Sequence, residues 1–373
     1  MSELMNATIQ SRSIRRKFLA TASAFALLVF IEGIDRAEAD DNAGQPDIWI
    51  ELGGQLEQFA STQDPFLPPF LSKTPRPTFE TVYPPDAEKP PRFAIGGDAK
   101  LTFEPTGTDW VFSAAVRYGR SNGTKTVHQQ TEFPTPVFGT LHLQPYFDNY
   151  ATTKVTHNES NAIADFRAGK DIGLGMFGRN STSVFSLGVR YAQFASNTTV
   201  NIRERPDLHF NDILPSPINN IVKYFHSYGL TGHSARSFRA VGPSLAWDVS
   251  APFAGKPEST QFTLDWGVNA AILFGRQKAF ISHHTSGRYI EVATGKYPGA
   301  PYENSPIPRN SARSVTIPNL GGYGGVSIKW PNAKVSLGYR ADFFFGAVDG
   351  GIDTRVSKTL GLNGPYASIS VGL

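Results

Sequence analysis

The chain has 373 residues, 40% of them hydrophobic and only 18% charged, with 35 glycines, 27 prolines, 27 phenylalanines and no cysteine. So many turn-formers and aromatics argue against a helical bundle, and the lack of cysteine excludes a disulfide scaffold, a cysteine-ligated metal and a thiol nucleophile. A formal net charge of +3 that is not gathered into one stripe leaves no electrostatic footprint for nucleic acid, so no such partner is expected.

Arg12, Arg15, Arg16 and Lys17 precede an apolar run over 19–31, and Ala37-Glu38-Ala39 follows as a small-x-small cleavage pattern. The run is too short to span a bilayer, which takes about 20 apolar residues. Residues 1–39 therefore read as an export signal cleaved near Ala39, leaving 40–373 as the mature domain. Arg15-Arg16 also suits twin-arginine export, and the two routes stay open. No later run is long enough for a transmembrane helix.

From there the chain alternates. Residues 48–56 form the first candidate strand. In the second, Phe93, Ile95, Gly97, Ala99, Leu101 and Phe103 oppose Asp98, Lys100, Thr102 and Glu104. Successive strand side chains point to opposite faces, so one face is oily and the other wet. Trp110, Phe112, Ala114, Val116 and Tyr118 against Ser113 and Arg117 repeat the pattern. Segments 162–174, 185–191 and 241–249 follow less cleanly. Phe262, Leu264, Trp266, Val268, Ala270, Ile272 and Phe274 then oppose Thr263, Asp265 and Asn269. After 320–330 come Val335, Leu337, Tyr339, Ala341, Phe343 and Phe345 against Arg340 and Asp342, and last Ala367, Ile369, Val371 and Leu373.

These segments are mostly longer than the 5–6 residues usual in globular strands, and closer to the roughly 9–11 of a tilted transmembrane strand. Their connections alternate too. Those at 105–109, 178–181, 250–259 and 331–332 are short, and those at 60–92, 119–161, 195–235 and 276–313 are long, with a shorter one at 347–361. Short turns on one side and long loops on the other mark an outer-membrane barrel. The expected fold is thus all-β, an up-and-down antiparallel transmembrane β-barrel of about ten strands, with eight or twelve as alternatives. The long connections, rich in proline, are expected to be irregular covers with short hairpin extensions near 151–157 and 288–292.

In such a barrel the oily face meets lipid and the wet face lines the lumen. The candidate lumen residues are Asp98, Lys100, Glu104, Arg117, Asp165, Arg167, Arg190, Asp265, Asn269, Lys329, Arg340 and Asp342. They mix both signs, so cross-strand ion pairs are expected, and plug and pore both remain open. An Arg at Trp266 should impair assembly, whereas one at Asn269 should be better tolerated. Lys170 falls on the outward parity near a strand end, where its head can reach water. Aromatics near strand ends suit an interfacial girdle.

Enzymatic constellations are weak. The eight histidines all fall in proposed loops, and His283-His284 lacks an HExxH frame or a fixed carboxylate partner, so no metal is expected. Gly321-Gly322-Tyr323-Gly324-Gly325 lacks the lysine and helix of a phosphate loop, and reads as a bend or close strand packing. No cofactor and no catalytic residue is expected.

Gly188-Val189-Arg190-Tyr191-Ala192-Gln193-Phe194, Val241-Gly242-Pro243-Ser244-Leu245, Asp265-Trp266-Gly267 and Gly338-Tyr339-Arg340-Ala341-Asp342-Phe343 resemble motifs of the Legionella-type major outer membrane protein family. The likeness covers about half of the mature chain and implies a pore-forming β-barrel. The chain departs from that family in having no cysteine, so no disulfide-linked oligomer is implied, and in ending on Leu373 rather than the phenylalanine usual in outer-membrane barrels. The expected function is porin-like passive passage of small solutes or ions. A plugged structural or surface-binding barrel is the alternative, and a rim-site hydrolase a third reading. Expected partners are outer-membrane lipid, the barrel-assembly machinery and small solutes or ions, in the bacterial outer membrane.

Overall fold

The computed structural model describes residues 48–61, 93–105, 107–134, 146–173, 181–205, 223–256, 259–291 and 300–373. The export signal expected at 1–39 and most of the first long connection lie outside the described residues, as do His142 and His209.

Eleven strands follow in order: β1 (Ile48–Ser61), β2 (Phe93–Phe103), β3 (Trp110–Pro134), β4 (Tyr146–Asp171), β5 (Thr182–Arg205), β6 (Lys223–Gly255), β7 (Gln261–Glu291), β8 (Ala300–Asn304), β9 (Arg309–Trp330), β10 (Ala333–Asp349) and β11 (Ser357–Gly372). Apart from β8, successive strands pair antiparallel, β7 with β9 included, and β11 returns to β1 with Trp49 opposite Gly372 and Gln55 opposite Tyr366. The result is a closed antiparallel barrel of ten strands. The extra strand, β8, pairs with β7 beyond the stretch where β7 pairs with β9. Closure gives each edge N–H and C=O a ladder partner, the condition for crossing hydrocarbon. All ten segments read from alternation fall on the ten barrel strands in the same order.

The connections differ from expectation. Most of 119–161, 195–235 and 276–313 continues the strands: β3 pairs with β4 as far as Pro134–Tyr146, and β6 with β7 as far as Lys223–Glu291. His128, His157, His233, His283 and His284 therefore sit on strands, not in loops. Polar Thr, Asn, His and Ser in these stretches blurred the apolar alternation without ending the ladder. The barrel is consequently lopsided. β6 has 33 residues and β2 only 11, which at about 3.3 Å per residue is roughly 110 Å of strand against roughly 36 Å.

Two short turns are tight, while the one expected at 178–181 falls mostly outside the described residues. At 105–109 the Thr108 backbone N–H donates to the Pro105 carbonyl (3.2 Å), with Gly107 at φ +75°. After β6, Gly255 has φ +90° and an added Cβ would lie 2.0 Å from the Thr260 carbonyl oxygen, so only glycine closes that turn.

On the outer wall the alternating apolar residues are exposed around the whole circumference. Examples are Leu52, Val116, Phe166, Leu187, Leu245, Val268, Leu337 and Ile369, each between 45% and 61% accessible. A belt of this extent is a lipid-facing surface, far beyond the apolar patches of soluble proteins. At the turn end it carries aromatic contacts: Trp110 on Phe112 (6.3 Å), Trp247 edge-on to Trp266 (5.0 Å) and Phe253 near Phe262 (6.4 Å). Lys170 faces outward there and pairs with Asp109 at 3.6 Å.

Away from the turns, the outward face of the tall strands becomes polar. Arg120, Asn122, Thr124, Thr126 and His128 succeed one another on β3. Cross-strand contacts fasten this upper wall: Thr124 with Thr156 (3.1 Å), His128 with Thr152 (2.8 Å), and the Thr231 hydroxyl donating to Asn201 Oδ1 (3.3 Å).

Candidate functional site in the lumen

Inward parity places eleven of the twelve sequence-selected residues on the lumen side, at different depths, and Glu104 follows directly on the end of β2. Nearest the turns, Lys334 Nζ lies 2.7 Å from Asp265, whose carboxylate also accepts from the hydroxyls of Ser250 (2.6 Å) and Ser327. Lys329 sits over the Trp49 ring at 5.7 Å. Lys100 and Glu104 belong to this same mouth, Lys100 in register with Glu51.

One step inward, Arg340 lies against the rings of Tyr366 (4.8 Å) and Tyr323 (5.9 Å) and 3.9 Å from Asp98. The Tyr323 hydroxyl donates to Asp248 (3.0 Å), and Arg167 lies between Asp165 (3.2 Å) and Asp248 (3.9 Å).

The centre is a network joining strands that are not neighbours. Arg117 on β3 reaches across the lumen to Asp342 on β10 at 2.5 Å. Arg190 on β5 holds Asp165 through two nitrogens (2.8 and 3.0 Å) and donates to Asn269 (2.6 Å) and Asn319 (2.5 Å) on β7 and β9. It is also 3.6 Å from Asp342. Asn319 donates onward to the Phe343 carbonyl (3.0 Å), and Asn161 donates to Glu57. Arg190 and Asp342 side chains are only 3% and 2% accessible. Charges this buried require partners; the Arg190 fork finds them in Asp165, Asn269 and Asn319, while Arg117 Nε and Asp342 Oδ1 make no hydrogen bond among the described residues. Because Asn269 bonds Arg190, an arginine at 269 would set two like charges together, which argues against the tolerance expected at that position.

The glycine-rich stretch at 321–325 makes room for this network. A Cβ on Gly321 would lie 2.1 Å from Asp342 Oδ1 and 2.9 Å from Asn269 Oδ1. Close strand packing, not phosphate binding, accounts for it.

Beyond the charges lies an apolar layer, which a simple oily-out, polar-in reading does not anticipate. Phe59, Ala94, Ile163, Phe194, Phe238, Leu273, Ile317, Phe344 and Leu362 form a packed layer contributed by β1, β2, β4, β5, β6, β7, β9, β10 and β11. Phe59 meets Phe194 (6.0 Å) and Phe238 meets Phe344 (6.5 Å), both pairs spanning the barrel. Phe194, Phe238 and Phe344 are each 2% accessible and Leu273 0%, so among the described residues these side chains are shut off from water at this level.

Above the layer, the β10–β11 connection folds into the barrel. Arg309 binds Asp349 (2.6 Å) and the carbonyls of Gly351 (2.7 Å) and Ile352 (2.8 Å). Arg236 donates to the Asp349 carbonyl (2.5 Å) and the Gly350 carbonyl (3.2 Å), and Gln277 to the Ala347 carbonyl (2.8 Å). Ile352 packs against Val155, Val200, Ile202, Leu230 and Ile281. Sequence reading missed Arg236, Gln277, Arg309 and Asp349 because most of their surroundings were read as loop. Extending the inward alternation of Phe238 and Ala240 back through Ser234 would have reached Arg236.

Among the described residues no cluster of three or more His, Asp or Glu side chains is arranged to hold a metal. No protein-family model and no curated protein matches the chain. Three solved structures are similar over most of their length. The transport unit of the autotransporter AIDA-I from Escherichia coli has 7% identity and a TM-score of 0.24, covering 90% of this chain and 93% of that one. The Pseudomonas putida toluene transporter TodX has 10% identity and a TM-score of 0.21, covering 90% and 91%. A bacterial polysaccharide outer membrane secretin has 8% identity and a TM-score of 0.19, covering 88% and 99%. Scores this low carry no argument, and the barrel rests on its own strand pairing.

Proposed function

We propose that the protein is an outer-membrane barrel with a filled lumen, closed to hydrated solutes in this conformation, that acts as a structural or surface-binding element. The observation that carries this is the apolar layer of Phe194, Phe238, Phe344 and Leu273, to which nine of the ten barrel strands contribute. Small barrels are filled by side chains, and open channels belong to 16–18 strands. The lipid-facing belt supports the membrane assignment, and the short turns and tall wall support a periplasmic turn end and an external far end. An export signal over 1–39, cleaved near Ala39, supplies the route.

Porin-like passage of small solutes or ions is the second reading. It is favoured by the charged lower lumen, by the likeness to Legionella-type major outer membrane proteins, and by an inset held largely by Arg236 and Arg309. In that reading the inset at 350–356 and the layer beneath it move aside. Planar-bilayer recording of the pure refolded chain separates the two. No conductance steps are expected, from wild type or from the double variant R236Q/R309Q. Steps from wild type overturn the closed barrel, and steps from the double variant alone establish the inset as a gate.

A further inference from the structure

The outward face of β6 and β7 changes from apolar to basic within one side-chain position. Val241 and Phe274, 49% and 54% accessible, are register partners in the lipid-facing belt. The next outward pair is Arg239 opposite Arg276, and the next outward residue on β7 is Lys278, opposite Ser237. All three cations are exposed. Directly opposed strand residues have Cβ atoms about 4.5–5.5 Å apart and diagonal ones about 7–8 Å, and like charges so placed destabilise a sheet.

Nothing on the flanking strands compensates. The residues in register on the same face are Gln193 of β5 beside Arg239, Ser314 of β9 beside Arg276, and Ala312 of β9 beside Lys278. Among the described residues none of the three cations makes an ion pair. Three positive charges stand together directly above Val241 and Phe274, with the exposed Phe280 the next outward residue on β7.

We infer that Arg239, Arg276 and Lys278 bind the phosphates of a phosphorylated glycolipid in the outer leaflet, whose acyl chains lie along Val241, Ile272 and Phe274. The inference rests on the outer-membrane reading, and within it on the far end of the strands facing outward. Guanidinium groups bind phosphate through paired N–H bonds, and Lys278 adds a point charge. A lipid supplies both parts of the match: anionic head at the cations, hydrocarbon on the belt below. Free phosphate supplies only the first.

The test uses the full chain refolded into phosphatidylcholine vesicles that contain a small fraction of bis-phosphorylated lipid A or of its dephosphorylated form. The readout is glycolipid retained per barrel after detergent extraction and purification. Wild type should retain at least about tenfold more of the phosphorylated form, since each surface cation is worth on the order of 1 kcal/mol towards an anionic lipid. The triple variant R239Q/R276Q/K278Q should lose that preference. Inorganic phosphate at equal phosphate concentration should leave the lipid bound. Equal retention of both lipids, an unchanged preference in the variant, or full displacement by inorganic phosphate overturns the inference. Insertion into pure phosphatidylcholine vesicles, read by heat-modifiable migration, reports separately on the membrane barrel itself and should be the same in wild type and variant.

Discussion

The lower and upper halves of the lumen are closed by opposite chemistry. Near the turns the cross-section is held by charge, with Arg117 and Arg190 clamped on Asp165 and Asp342. Above them it is held by Phe59, Phe194, Phe238 and Phe344, and then by a piece of backbone bound to Arg236 and Arg309. The lower half opens at its mouth to water, where Arg340 and Lys334 keep 22% and 25% accessibility and polar groups are cheap. The upper half packs Phe194, Phe238 and Phe344 out of contact with water. Each half makes the other workable: a dry layer strengthens the ion pairs beside it, and the ion pairs tie opposite walls so that the aromatic layer keeps its packing.

This contrast can be broken at its charged half first. Asp342→Ala leaves Arg117 and Arg190 buried against a missing partner and should cost about 3–5 kcal/mol. The urea midpoint of the folded barrel in vesicles reads it, and a loss under about 1 kcal/mol would mean the network contributes no net stability. Phe238→Ala attacks the dry half and should cost about 3–4 kcal/mol through lost burial and a residual cavity. Water-soluble quenchers should then reach a probe in the upper lumen that is shielded in wild type.

On the outer wall, Val268→Arg faces lipid and should cost about 2–4 kcal/mol, seen as a lower yield of inserted barrel. Arg309→Gln removes one anchor of the inset and should cost about 1–3 kcal/mol. Proteolysis within 350–356 should become faster while the barrel core stays resistant. Thr124→Ala in the upper ladder should shift the midpoint least, by under about 1 kcal/mol. An effect of Thr124→Ala as large as that of Asp342→Ala would erase the distinction between wall and lumen.

How much was legible follows from which force wrote the pattern. Val268 and Asn269 are adjacent, yet one meets lipid and the other Arg190, and strict alternation places both. The belt segments are readable for that reason. Thr124, Thr156 and His128 sit on equally regular strands, but both faces there are largely polar, so no periodicity betrays them. The charged lumen residues could be chosen by parity, as Arg117 and Asp342 show. Their union could not, because β3 and β10 are far apart in sequence and meet only across the closed barrel.

The sequence by itself determined the membrane-spanning segments, their order and which side chains face inward, because lipid on one side imposes a period of two that needs no knowledge of distant contacts. Tertiary structure alone decided that the interior is filled. Whether Phe194 meets Phe59, whether Arg190 finds Asn319, and whether 350–356 turns inward depend on which walls closure brings face to face, a geometry set by the whole ring of strand pairings rather than by any local stretch of chain.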